Sequence, residues 1–191
     1  MRFYRPKNEY IKYLFEIDRR IVNSKNILGI PLRLNELIYF LPIDSPTDSD
    51  YDNGILKKSS PTVMRMIDMK SQIYYGKCLF SNMFSIPYKE LEAVDMSDFD
   101  EDKLALMEKK LEFIKKNNKR ISKVAHMIFT QKSRKYKQPY LDATIDFVKI
   151  EEASLQWELE NYGKHYNRFP DQDFFLTNPF IDGVSDVSYT H

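Results

Sequence analysis

The sequence predicts an α+β fold, with an antiparallel sheet built from the first half of the chain and helices from the second. Between residues 28 and 87 the apolar residues come in short runs divided by turn residues, and from about residue 97 they recur at helical spacing. The composition agrees: 42% hydrophobic and 14% aromatic residues with only 5 Gly describe a chain that buries a core rather than a disordered one. At 191 residues a single domain is expected.

The opening MRFYRP reads as a short strand ended by Pro6. Asn8 then serves as the cap of a helix from about Glu9 to Ile21, with Ile11, Leu14, Phe15, Ile17 and Ile21 at helical spacing. LGIPLRL (28–34) and LIYFLPI (37–43) form two strands of a hairpin across Asn35-Glu36, and Pro31 demotes the first towards an edge or a bulge. Residues 44–61 collect Ser, Asp, Pro, Gly and Asn, so they make a long loop or a loop with a small excursion. TVMRMID (62–68) and YYGKCLFSNMFSIP (74–87) supply further strands.

Ser97 is the expected start of the helical half. Leu104, Met107, Leu111, Ile114, Ile121, Val124, Ala125, Ile128 and Phe129 share one side of one long helix, or of two broken near Asn117-Asn118. Lys109, Lys116, Lys119, Arg120 and Lys123 fall opposite that stripe, making a basic ridge. A last helix runs from a cap at Asp146 to Gly163, and residues 164–191 carry no clear period.

Formal charge is only +1, but it is unevenly spread. Residues 103–137 hold 12 Lys/Arg against Glu108 and Glu112, between two acidic segments. Such a ridge can neutralise phosphates, and the bland alternative is a solvated helix face. The single Cys78 forms no internal disulfide and suits a reducing cytoplasm. No Cys/His set has metal-ligand spacing, so neither a metal nor another cofactor is expected. No run is long and apolar enough for a membrane span.

Chemistry concentrates in the long loop. Lys57, Lys58, Ser59, Ser60 and Thr62, with Arg65 on the next strand, bring hydroxyls and cations close enough to converge on a phosphate. The alternative is a turn whose hydroxyls cap backbone groups. Tyr10, Tyr13, Tyr39 and Tyr51 could stack on unpaired bases, but with 13 Tyr in the chain most are expected to pack, and Tyr51, in the loop, is the candidate to test. His126, His165 and His191 are isolated, and Cys78 lies in an apolar strand as a structural thiol.

Taken in order, NEYIKYL, NILGIPLRLNELIYFLPIDSP, GKCLFSNMFSIP, KLEFIKKNNKRISKVA and IDFVKIEEA resemble the ToxN/AbiQ family of type III toxin–antitoxin endoribonucleases. The resemblance covers roughly residues 1–160, so residues 1–163 are expected to form one endoribonuclease domain and 164–191 a tail outside the family pattern. It implies a compact, strongly twisted antiparallel sheet similar to the Kid/MazF toxins, a partial barrel with added helices including the long basic one.

It also implies a cytoplasmic toxin that cuts RNA without a metal. The expected inhibitor is a repeated pseudoknot RNA antitoxin, with which the toxin can close into rings, and the expected setting is abortive phage infection. Many family members read Ser-Ser-Pro-Lys where this chain reads Asp44-Ser45-Pro46-Thr47, so the family serine carries over to Ser45 and its neighbouring lysine does not. Lys58-Ser59-Ser60-Pro61-Thr62 with Arg65 is similar to a family Lys-Ser element before an Arg-Met strand, and Lys25 loosely matches a lysine ahead of the first hairpin.

Cleavage without metal turns the 2′-OH on its own phosphate, leaving a 2′,3′-cyclic phosphate and a 5′-OH. It needs a base, stabilisation of the crowded phosphorane and an acid. Lys58 and Arg65 suit stabilisation, while Ser59, Ser60, Thr62 and Ser45 can orient oxygens. Lys58 could act as the base only if burial or neighbouring cations lowered its pKa. The competing readings are an RNA-binding protein without cleavage, supported by Thr47, and a domain whose acidic segments meet a basic protein.

Overall fold

The computed structural model describes residues 2–22, 27–34, 36–97 and 99–163. Lys25, His165, His191 and the 164–191 segment lie outside the described residues.

Strand β1 (Tyr4–Pro6) passes almost directly into helix α1 (Asn8–Ile17). Asn8 is the first helical residue rather than the cap, because the Lys7 amide donates to the Glu90 carbonyl at 2.8 Å and Lys7 stays extended. The helix ends at Ile17 instead of Ile21 because Asp18 turns out of it. The Asp18 carboxylate accepts from Arg20 Nη2 at 2.6 Å and from the Asp146 amide at 3.2 Å, bonds that a helical Asp18 would forgo. Ile21 is still buried, from the turn that follows.

Strands β2 (Leu28–Leu34) and β3 (Leu37–Asp44) pair antiparallel along their length as the expected hairpin, with Leu34 opposite Leu37. Glu36 takes a positive φ of 66° to close the turn. Pro31 lies in a strand that is internal in sheet order, yet β1 meets β2 only at Tyr4 opposite Gly29. Beyond that pair the outer flank of β2 has no paired strand among the described residues, and Pro31 sits at what is locally an edge.

The long loop contains the excursion as a 3₁₀ turn over Asp48–Asp50 and a two-stranded ribbon, β4 (Tyr51–Asp52) with β5 (Ile55–Leu56). Asn53 and Gly54 form its tip with φ of 50° and 76°, the left-handed pair that a tight two-residue hairpin requires. Strands β6 (Val63–Ile67), β7 (Tyr74–Leu79), β8 (Phe84–Ser85) and β9 (Leu91–Ala93) follow. The main sheet has the order β6-β7-β3-β2-β1-β9, with β8 beside β3. Its pairings are antiparallel.

The helical half holds α2 (Glu101–Lys116), α3 (Asn118–Ser133) and α4 (Phe147–Tyr162). Asp100, not Ser97, caps α2 by accepting from the Lys103 amide at 2.8 Å, while the Ser97 amide donates to Asp95 in a turn before it. The single long basic helix is two helices. Asn117 leaves helical geometry, and its side-chain amide donates to the Phe113 carbonyl at 2.9 Å, closing α2 before α3 begins. Helix α4 has the expected ends: Asp146 accepts from the Lys149 amide, and Gly163 takes the left-handed φ of 68°.

The core forms where the helices cover the sheet. Tyr39 of β3 is fully buried between Phe129 of α3 and Phe147 of α4, with its hydroxyl donating to Glu151 at 2.6 Å. Tyr10 of α1 donates to the Ser85 carbonyl at 2.7 Å and meets Trp157 of α4 edge-on. No helix among the described residues is long and apolar enough to cross a membrane.

Candidate active site

The candidate site forms at the corner where β6, β7 and β3 run side by side. Arg65 lies opposite Lys77, and Lys77 opposite Asp44, so these three side chains form one cross-strand row. The residues after β3 fold over this row. Lys77 Nζ donates to both oxygens of Asp50 at 2.8 Å and to Thr47 Oγ1 at 3.2 Å, with Asp44 3.9 Å away. Burial pushes the Asp50 carboxyl up, but the hydrogen bonds from Lys77 and Thr47 outweigh it and hold the group at about 2. Lys77 is thereby buried and neutralised.

The second Ser-Pro segment hangs on the same framework. The Lys57 amide donates to the Asp50 carbonyl at 2.9 Å and Lys57 Nζ to the Ser49 carbonyl at 3.1 Å. Arg65 Nη1 donates to the Lys57 carbonyl, and its guanidinium lies 5.7 Å from the Tyr74 ring centre. Arg65 Nε is buried without a hydrogen-bond partner among the described residues.

Within KKSSPT the hydroxyls divide. Thr62 is buried, and its Oγ1 shares a hydrogen bond of 3.0 Å with Ser60 Oγ, which also accepts from the Thr62 amide at 3.3 Å. These two hydroxyls shape the turn. Lys58 and Ser59 point to solvent and are free to meet a substrate. The exposure of Lys58 suits charge stabilisation.

Ser45 turns the other way. Lys110 of α2 reaches over the opposite face of β7 and places Nζ 3.4 Å from Ser45 Oγ. The two lysines therefore flank the corner from both sides, Lys77 on one face and Lys110 on the other. Gly76 makes the approach of Lys110 possible. Its φ is +151°, and an added Cβ would lie 2.4 Å from the Asp44 carbonyl oxygen and 3.2 Å from Lys110 Cε.

Of the proposed RNA contacts, Lys57, Lys109, Lys116, Lys119, Arg120 and Lys123 are exposed, and Tyr51 stands beside Tyr74 with ring centres 6.4 Å apart. Glu112 draws on two of the lysines, pairing with Lys116 at 2.7 Å and Lys109 at 3.9 Å. Tyr10, Tyr13 and Tyr39 are packing residues with occupied hydroxyls. Cys78 is wholly buried, which pushes its thiol up to about 12. A larger cleft of 840 Å³ between the end of α3 and the start of α4 contains none of the residues selected from the sequence.

Sequence reasoning missed Lys77, Asp50, Tyr74 and Lys110. Tyr74 donates to Asp50 at 3.2 Å, and burial together with the Asp50 charge raises its hydroxyl to about 12, so it stays protonated. A signal for Lys110 exists: it stands three residues after Met107 and four before Ile114, on the apolar stripe rather than the ridge.

An α+β fold that gathers hydroxyls, lysines and Arg65 at one sheet corner carries residue types that can bind a phosphate. Residues 2–155 match the family described as Toxin ToxN of type III toxin-antitoxin systems, and the chain belongs to that family.

Among its relatives, Endoribonuclease AbiQ of Lactococcus lactis subsp. lactis is 25% identical over 158 residues, spanning 79% of this chain and 86% of AbiQ. Endoribonuclease ToxN of Bacillus thuringiensis subsp. kurstaki is 25% identical over 181 residues, spanning 87% and 89%. The solved structure of AbiQ, a lactococcal anti-phage endoribonuclease of a type III system, superposes with a TM-score of 0.71 at 24% identity, over 82% of this chain and 97% of that one. A type III toxin described as selectively inhibited by a non-coding RNA pseudoknot gives 0.67 at 23% identity, over 82% and 96%. These superpositions establish a shared fold.

Proposed function

We propose that this chain is a metal-independent endoribonuclease toxin of a type III toxin–antitoxin system, acting in the cytoplasm and serving in abortive phage infection. Attack of a 2′-OH on the adjacent phosphate leaves 2′,3′-cyclic phosphate and 5′-OH ends. Residues 1–163 act as one catalytic domain built on a strongly twisted sheet of the Kid/MazF kind. The 164–191 tail stands outside it.

The observation that carries this reading is the sheet corner itself, in a chain of this family. Lys58 is an exposed cation suited to phosphate oxygens, and Arg65 holds the Lys57 carbonyl beside it from the next strand. Ser59 and Ser45 supply exposed hydroxyls to orient the reacting group, and Ser60 and Thr62 hold the turn that presents Ser59. Tyr51 offers a face for an unpaired base, and the exposed ridge cations track the RNA backbone.

A repeated pseudoknot RNA is the expected antitoxin, lying over the same corner as a substrate-like strand and alternating with the toxin in ring assemblies. The test is expression in bacteria with and without any tandem-repeat RNA encoded beside the gene. Growth arrest with RNA cleavage, relieved by that RNA and abolished in Lys58→Ala and Ser59→Ala, is the predicted result. A wild-type chain that binds RNA and leaves it intact would reduce the protein to an RNA-binding one.

A further inference from the structure

We propose that the corner between Ser45 and Lys110, with the cavity behind it, binds one unpaired nucleotide of the RNA. The phosphate sits on the Lys110 ammonium and the Ser45 hydroxyl, and the base lies among apolar side chains. This rests on the endoribonuclease reading and adds to it a subsite that Lys58 and Arg65 do not supply.

The first observation is an unneutralised cation in the interior. Lys110 is 2% exposed and makes no ion pair among the described residues. Taking an ammonium out of water costs several kcal/mol unless an anion and hydrogen bonds compensate. The Lys77 ammonium across the strand has Asp50 as its anion; Lys110 has a serine hydroxyl. Burial holds the Lys110 ammonium below the usual lysine range, and the charge of Asp44 works in the opposite direction. A phosphate entering past exposed Ser45 completes the pairing.

The second is the cavity. It measures 230 Å³ and is lined by Val22, Leu28, Pro42, Ile43, Leu79 and Met107 among others, with Asp44, Ser45 and Lys110 also on its wall. It is smaller than the roughly 300–1,000 Å³ of sites for drug-sized ligands, so it suits a single ring system. Apolar walls give water few partners and favour a flat ring, which is how an unpaired nucleobase is held while its phosphate stays at a cation. The third is Gly76, where a side chain would push against Lys110 Cε and Nζ.

The test uses the full chain and a short fluorescent single-stranded RNA of random sequence with 2′-O-methyl sugars, which cannot be cut. Lys110→Met keeps the length of the side chain and removes the charge, and its melting temperature should equal or exceed that of the wild type. Its affinity should fall about tenfold at low salt, and the slope of log K against log salt should drop by about 0.7, the share of one phosphate on a single strand. Unchanged affinity and slope would overturn the proposal.

Leu79→Phe fills the cavity without touching the charge. Mapping cut sites in total RNA should then show altered base preference at one position beside the cut and none elsewhere. Preference unchanged at every position would overturn the base-binding half, even if Lys110→Met failed to fold. A wild type that cuts nothing would defeat the endoribonuclease reading, while the uncleavable RNA would still decide the subsite.

Discussion

The two Ser-Pro segments, residues 44–47 and 57–62, belong to one sheet corner and carry similar residue types, but they are held in opposite ways. In 57–62 the cations face water, two hydroxyls satisfy each other, and Lys57 is tied to the sheet through its backbone. In 44–47 the segment is clasped by two buried lysines, Lys77 on one face and Lys110 on the other. A charge displayed on a loop costs the fold little and is screened by salt, whereas a buried one must be neutralised by a neighbour or by a ligand. On the proposed function, residues 57–62 meet RNA and residues 44–47 fix where a nucleotide sits.

The comparison breaks most severely at Asp50. Asp50→Ala strands the buried Lys77 ammonium and should cost about 3 kcal/mol or more, because half of a buried pair is worse than none. Thermal melting checks this, and both segments should lose activity together. A melting temperature equal to wild type would mean that Lys77 finds another partner.

Gly76→Ala comes next. The left-handed φ and the contact with the Asp44 carbonyl should cost about 3 kcal/mol. The damage should reach the Ser45 corner first, so RNA cleavage at a permissive temperature should fall before Lys58-dependent contacts do.

Lys58→Ala addresses only the displayed segment. Losing a cation at the phosphorane should lower kcat/KM by about 100-fold with melting unchanged, as expected for a charge-stabilising group. Equal losses of stability and activity would assign Lys58 to the fold. A smaller effect is expected from the ridge: Lys119→Ala with Arg120→Ala should weaken RNA binding a few-fold and evenly across sequences, with a shallower salt dependence.

Acid separates the two kinds of charge further. Asp50 and Asp18 are both held at about 2, below the ordinary carboxyl value of 3.8. In each, burial acts upward and is outweighed, by bonds from Lys77 and Thr47 in one case and from Arg20 and the Asp146 amide in the other. Carboxyls depressed by folding contribute fully above their unfolded value and lose the contribution as pH falls through the folded one. Stability should therefore hold above about pH 4 and decline towards pH 2, and Asp50→Ala should remove part of that slope in an acid titration followed by circular dichroism.

Much of the fold was legible because its signals are local. Asp146 and Gly163 mark both ends of α4, and the apolar runs 28–34 and 37–43 with a two-residue gap can hardly be anything but a hairpin. Asn8 and Ser97 misled because capping depends on what holds the preceding residue. Lys7 is held by the distant Glu90 carbonyl, and the Ser97 amide by Asp95. Strand β9 escaped notice because it pairs at the edge with β1 and has no apolar run of its own.

The candidate site divides along the same line. Lys58, Ser59 and Arg65 stand out as a cluster in the chain, whereas Lys77 reaches Thr47 from 30 residues away in sequence and Lys110 reaches Ser45 from 65. Strand alternation gives no reason to expect Lys77 inside, because it lies on the outward face and is buried only when Asp50 folds over it. The helical period does place Lys110 on the apolar stripe, so that lysine could have been singled out.

The central claim is chemical, and the ends of the cut RNA decide it. Purified protein incubated with single-stranded RNA in excess chelator, followed by end-group mapping, should yield 2′,3′-cyclic phosphate and 5′-OH termini, with the yield falling in Lys58→Ala and Ser45→Ala. Termini bearing a 5′-phosphate, or cleavage that stops when divalent cations are removed, would contradict it.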